Sequence, residues 1–199
     1  MSKRSLYGGV FSIGACVLGV VIAVSLLIFV RLYSLPTGSM EPTLLLGDHL
    51  VALRSHSTVH SGDIVIFRFP PDPQQTYVKR VAGIAGDRVK ILNRMLFVNG
   101  KKLSEPYAKF ATSYADSYKD NFPSEPNAMV YPGALDMLAH HVRNGEVIVP
   151  QGALFVLGDN REMSLDSRYW GFVPMTNVIG QPLFVYLSKD PGRIMARIR

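Results

Sequence analysis

With 199 residues, 48% of them hydrophobic, and a single cysteine, the chain can build one sizeable core and a small subdomain, but not two full domains. It also has no internal disulfide to brace it. A formal charge of +6 is no nucleic-acid signature here, because the basic residues are scattered, occur only in short pairs such as Lys79-Arg80 and Lys101-Lys102, and match no groove-reading motif. Anionic lipid headgroups are the better match for a basic domain of this kind.

Residues 5–30 contain no charge between Lys3-Arg4 and Arg31. About 25 residues at ~1.5 Å each span roughly 37 Å, more than the ~30 Å of a hydrocarbon core. The expectation is a cytoplasmic stub over 1–5, a transmembrane anchor over 6–30 and a folded domain over 31–199. A cleaved leader would carry a shorter apolar run ending in a small-x-small site, and 29–33 offers none. Lys3 and Arg4 favour an N-terminus in the cytoplasm, with the domain outside. Cys16 lies inside the expected anchor.

Beyond the anchor, short apolar runs recur between Gly-Asp and Pro punctuation, which predicts strands at 50–53, 64–69, 78–84, 89–92 and 96–98, then 146–149, 154–157 and 183–187. Asn99-Gly100 is a tight-turn signal. Residues 105–144 are rich in Tyr, Ser, Pro and Asn and lack periodicity, so they read as a peripheral insertion or second β region, partly irregular. A short helix over 134–142 is expected inside it, because Leu135, Leu138 and Val142 share a face. The fold class is mostly β: an N-terminal transmembrane helix, then an antiparallel β domain with a peripheral insertion.

Three places carry candidate chemistry. Thr37-Gly38-Ser39-Met40-Glu41-Pro42-Thr43 puts a small hydroxyl just past the anchor, with Gly38 permitting close backbone approach and Pro42 restricting φ. The same residue types also make ordinary turns. A serine nucleophile needs a base, and the five histidines, His49, His56, His60, His140 and His141, sit in polar or peripheral positions without metal-ligand spacing. Lys79 is the alternative base. Strand alternation puts Tyr77, Lys79 and Val81 on one face, and lowering a lysine from ~10.4 to ~7–8 takes about 4 kcal/mol of differential interaction, which an apolar wall and nearby cations supply. The third place, residues 158–174, packs turn formers, opposed charges and the only tryptophan together. Asp166 and Arg168 are close enough there to pair across a bend.

In this order, Leu35 to Leu44, Gly47-Asp48, Gly62-Asp63-Ile64-Val65, Lys79-Arg80-Val81, Gly86-Asp87 and Gly158 to Pro174 resemble the type I signal peptidases, membrane-bound serine-lysine proteases. The resemblance implies Ser39 as nucleophile and Lys79 as general base, with Ser164 hydrogen-bonding and aiming the lysine amine. It implies an oxyanion site from the Ser39 N–H and the Thr37 hydroxyl, and structural support from Asp159, Asp166 and Arg168. Tyr33, Leu35, Met40, Leu44, Tyr77 and Val78 would form the substrate wall.

No metal or organic cofactor is implied. The implied partners are signal peptides of exported preproteins and the lipid bilayer, with no nucleic acid, and the implied enzyme is a monomer in the bacterial cytoplasmic membrane with its catalytic domain on the outer face. Met163, where relatives usually carry asparagine, and Asn93-Arg94, where a turn glycine is common, depart from the pattern. A dedicated maturation peptidase of the same clan and an inactive membrane-anchored binding protein are the alternatives.

Overall fold

The computed structural model describes residues 16–21, 29–54, 58–110 and 116–198. Residues 16–21 are helical and Cys16 is exposed. No helix among the described residues is long and apolar enough to cross a membrane. Most of the expected anchor, 6–15 and 22–28, lies outside the described residues, as does His56.

Twelve strands follow: β1 Val30–Ser34, β2 His49–Leu53, β3 Ile64–Phe69, β4 Asp72–Gly83, β5 Arg88–Leu92, β6 Met95–Val98, β7 Lys101–Lys102, β8 Val142–Arg143, β9 Glu146–Ile148, β10 Ala153–Leu157, β11 Val173–Pro174 and β12 Val178–Leu187. They form a seven-stranded sheet ordered β1-β2-β12-β3-β4-β10-β11 and a five-stranded sheet ordered β7-β6-β5-β9-β8. Every strand pair is antiparallel.

The apolar run of β3 from Ile64 to Phe67 has a plain cause: that stretch of the strand is buried on both faces, and only Arg68 near its end is exposed. Ile64 and Ile66 pack with Leu35, Met40, Leu44, Leu50 and Val78 on one side. Val65, Phe67 and Phe69 pack with Val81, Leu154, Val156 and Trp170 on the other. β4 runs alongside in the register Val65↔Lys79, Ile66↔Val78 and Phe67↔Tyr77. It begins six residues earlier than its apolar pattern suggests, at Asp72 rather than 78, because Gln74, Gln75 and Thr76 extend past the core as exposed strand. β10 covers the far edge of β4 only from Arg80 onward.

The expected insertion is not peripheral. Tyr118, Phe122 and Met137 are buried in one cluster with Val89, Ile91, Leu96, Val98 and Val147 of the five-stranded sheet. Two short helices, Ser117–Asp120 and Pro132–His140, carry Tyr118 and Met137, while Phe122 lies in the loop after the first, and the only strand among the described residues of the segment is the two-residue β8. The second helix starts at Pro132, whose ring suits the first turn, and ends before Val142, which belongs to β8. Its buried residues are Ala134 and Met137; of the expected face, Leu138 and Val142 pack partly buried against the same cluster, whereas Leu135 is exposed. Asn99 and Gly100 both have positive φ and turn β6 into β7, as expected. Asn93 and Arg94 make the turn before β6 in the same left-handed region without glycine, and there Arg94 is held by Asp120 at 3.0 Å.

Candidate active site

Ser39 sits in a tight turn that Leu35 and Asp48 close at its base. Leu35 N–H donates to Asp48 O (3.0 Å), Gly47 N–H donates to Leu35 O (2.9 Å), and Leu44 N–H donates to Met40 O (2.9 Å). Met40 and Leu44 point into the core beside Val78, which fixes the turn against β4 and brings Lys79 to the serine. Lys79 Nζ donates to Ser39 Oγ at 2.7 Å and to Val78 O at 3.2 Å, and both side chains are almost wholly removed from water. Thr37 Oγ1 lies 3.3 Å from Ser39 Oγ.

Burial pushes the Lys79 ammonium down to about 8 from its ordinary 10.5. The carboxylates of Asp166 and Asp159 oppose the shift and Arg168 adds to it. A hydroxyl facing an amine that loses its proton near neutral pH is an arrangement that can supply a nucleophile and its base. None of the described histidines lines the cavity at this point. His49 packs on Tyr186, His141 packs on Phe172, and His60 and His140 face Asp63 and Asp136.

Two buried ion pairs hold the surroundings. Arg80 donates to both carboxylate oxygens of Asp159 at 2.8 and 2.7 Å, lies over the Tyr107 ring, and shares Asp159 with the Thr43 hydroxyl. Asp166 accepts from Arg168 Nε and Nη2, both at 2.8 Å, and from Gly158 N–H at 3.1 Å. Burial alone would raise the Asp166 carboxyl, but the Arg168 guanidinium and the hydrogen bonds outweigh it and hold it below the usual carboxylate range. Asp166 also caps a one-turn helix, Ser167–Trp170, that its short sequence signal did not announce.

The turn after β10 lies directly on the nucleophile turn. Asn160 N–H donates to Ser39 O at 3.1 Å and Asn160 Nδ2 donates to Gly38 O at 3.2 Å. A Cβ at Gly158 would fall 2.5 Å from Ser39 O and 2.2 Å from Ser164 Oγ, so only glycine lets the two turns meet. From the other side Arg193, in the short turn Pro191–Arg193, donates to Thr43 O at 2.5 Å, to Pro42 O at 3.4 Å and to Asp48 Oδ2 at 3.2 Å.

A cavity of about 440 Å³ opens over the dyad, and Tyr33, Leu35, Thr37, Ser39, Met40, Tyr77, Val78 and Lys79 all line it. Two expectations need correction. Leu44 is fully buried and does not line the cavity; it supports Leu35 and Met40 from behind. Ser164 is buried against Gly158, and its hydroxyl acts on the Asp166 carboxylate, which it helps to hold down, while the Lys79 amine bonds to Ser39 Oγ and Val78 O.

Sequence reasoning missed Gln75 and Thr76, which line the cavity from the exposed stretch of β4, and Leu165. Period-2 spacing from Tyr77 would have found Gln75. Met163, noted only as a departure, is 70% exposed and lines the same cavity.

Against known proteins, residues 10–187 match the family described as Signal peptidase, peptidase S26. Signal peptidase I of Pseudomonas fluorescens is 30% identical over 78% of this chain and 64% of its own length. Signal peptidase I of Bacillus caldolyticus is 37% identical over 74% of each chain. A crystal structure of a signal peptidase I from Enterococcus faecalis V583 aligns at 34% identity and TM-score 0.48, covering 64% of this chain and 98% of that one.

Proposed function

Because this chain belongs to the signal peptidase family, peptidase S26, we propose that it is a serine endopeptidase that removes signal peptides from exported preproteins after small-x-small sites, with Ser39 as nucleophile and Lys79 as general base. The observation that carries this reading is the 2.7 Å contact between Lys79 Nζ and Ser39 Oγ, two buried side chains at the floor of a largely apolar-walled cavity. The neutral amine takes the hydroxyl proton as Ser39 Oγ bonds to the scissile carbonyl carbon. It then returns that proton to the departing amine as the peptide bond breaks. Water, activated by the same amine, hydrolyses the ester and frees Ser39. Thr37 Oγ1 and the Ser39 N–H are the oxyanion donors.

Substrate lies extended between residues 33–35 and the stretch of β4 below Arg80, whose far edge β10 leaves uncovered. Backbone pairing there accepts any sequence, while the wall of Tyr33, Leu35, Met40, Tyr77 and Val78 excludes bulk. Asp159, Asp166 and Arg168 keep the turns in place. The enzyme is anchored through 6–30 in a bacterial cytoplasmic membrane by a single pass, with the domain over 31–199 on the outer face where exported substrates emerge.

With the lysine at about 8, roughly a tenth of the amine is neutral at pH 7. Preprotein cleavage in detergent therefore rises with pH through a midpoint near 8 and is indifferent to chelators. A flat profile, or loss of activity on chelation, overturns the dyad. A peptide panel completes the test: broad cutting of small-x-small sites supports the general role, and acceptance of one partner alone identifies a dedicated maturation enzyme.

Replacing Thr37 by serine leaves the rate nearly unchanged, whereas alanine or valine lowers kcat by ~10²–10³-fold, the usual loss for one oxyanion donor. Equal kcat for Thr37→Ala and the parent removes Thr37 from the mechanism.

A further inference from the structure

The geometry points to Asn160 as the residue that aims the oxyanion donor of Ser39, a positioning residue acting through the peptide bond between Gly38 and Ser39. This rests on the function proposed above, because the donor matters only if Ser39 attacks a carbonyl.

A peptide group is planar, and in the trans form its C=O and the following N–H point in opposite directions. Among the described residues the cis bonds are Glu41-Pro42 and Phe122-Pro123, so the bond between Gly38 and Ser39 is trans. Whatever holds Gly38 O therefore sets the direction of the Ser39 N–H. Two donors hold it: Glu41 N–H at 3.1 Å from within the turn, and Asn160 Nδ2 at 3.2 Å from the neighbouring loop. The adjacent carbonyl, Ser39 O, accepts from Asn160 N–H at 3.1 Å. One residue thus grips two consecutive carbonyls of the nucleophile turn, from a loop that Gly158 allows to approach closely.

The need for such a grip follows from the turn itself. Gly38 has no Cβ to limit its torsions, and glycine loses more freedom on ordering than any other residue. The Glu41 N–H bond belongs to the same turn and moves with it, so among the described residues the Asn160 amide is the tie from outside the turn that opposes rotation of this peptide away from the donor-in orientation. Asn160 is 4% exposed and is itself fixed, since Lys109 N–H donates to Asp159 O and Arg161 N–H donates to Lys109 O on either side of it.

Asn160 Oδ1 has no hydrogen-bond partner among the described residues. The volume-keeping substitution Asn160→Leu therefore removes one interaction, the bond from Nδ2 to Gly38 O, and leaves in place the main-chain bonds from Asn160 N–H to Ser39 O and from Glu41 N–H to Gly38 O.

The test pairs kinetics with structure, using Asn160→Leu and Asn160→Ala in the full chain. Preprotein cleavage should fall by about 10–100-fold in kcat, less than outright loss of a donor. KM and the pH midpoint near 8 should stay where the parent has them. Thr37→Ala combined with Asn160→Leu should be non-additive, because both act on one oxyanion. A crystal structure of Asn160→Leu should show the peptide between residues 38 and 39 rotated.

Parental kcat in the variants, a displaced pH midpoint, or an unrotated peptide overturns the assignment. Failure of both variants to fold overturns it too, by assigning Asn160 to the framework rather than to aim. If the parent itself cleaves no preprotein, the proposed function fails, and the orientation of the 38–39 peptide in Asn160→Leu still decides the positioning role.

Discussion

Alanine at Ser39 or at Lys79 abolishes preprotein cleavage in detergent while the domain stays folded, and parental turnover by either variant overturns the proposed dyad. The lysine substitution carries a second, less obvious expectation. Lys79 is held at about 8 against an ordinary 10.5, so the fold disfavours its charged form by about 3 kcal/mol. Below pH 8 the folded state carries that cost in full. Between pH 8 and 10.5 the unfolded chain binds the extra proton, so stability rises with pH and the cost disappears. Lys79→Met, which fills similar space without charge, is therefore expected to be more stable than the parent by up to about 3 kcal/mol at pH 7. The advantage shrinks as the pH rises through that window. Urea unfolding of the two proteins at pH 7 and pH 10 measures it; equal stability at pH 7 contradicts a lysine strained by burial.

Asp166→Ala is expected to act in the opposite direction. Arg168 has a side chain 1% exposed, and its partner carboxylate is 0% exposed. Removing one member of a buried pair leaves an uncompensated charge and typically costs about 3–5 kcal/mol. Asp166 also accepts the Gly158 N–H and caps the one-turn helix, so the loss extends to the turn that meets Ser39.

A catalytic signature accompanies the instability. Asp166 raises the lysine midpoint and Arg168 lowers it. Deleting the carboxylate therefore moves the acidic limb of the rate profile below 8 in whatever fraction remains folded. Thermal unfolding and the pH profile of the same preparation read both effects. A midpoint at or above the parent's would show that the carboxylate does not act on Lys79 through its charge.

The parts legible in the sequence were those written in local pattern. β3 was found at its observed bounds because burial on both faces leaves a nearly continuous apolar run broken only by exposed Arg68, and the turn at Asn99-Gly100 was found because positive φ at two successive residues strongly favours those types. Ser39 and Lys79 were legible as chemistry-bearing residue types in distinctive settings, although they lie 40 residues apart. Nothing local records that β4 pairs with β3 in the register that faces Lys79 toward the nucleophile turn.

The misreadings share one cause. The segment from 105 to 144 looked irregular because its buried residues, such as Tyr118, Phe122 and Met137, come from two short helices and a loop, each too brief to show a period. Leu44 was taken for the substrate wall because spacing does not distinguish a residue that lines a cavity from one packed behind the lining. That Ser164 acts on Asp166 was hidden for the same reason. Its place in the motif was clear, but the direction of its hydroxyl depends on how closely Gly158 approaches, which is a tertiary fact.

The hold of Arg193 on Thr43, Pro42 and Asp48 bears on where this enzyme can be cut for study. The family match ends at residue 187, and a minimal catalytic fragment trimmed to that boundary would discard the arginine that ties down the backbone three and four residues after Ser39. Such a fragment keeps every residue of the dyad yet frees the turn that presents it. An expression tag belongs beyond the intact tail, on a spacer long enough to leave the turn at Pro191–Arg193 undisturbed.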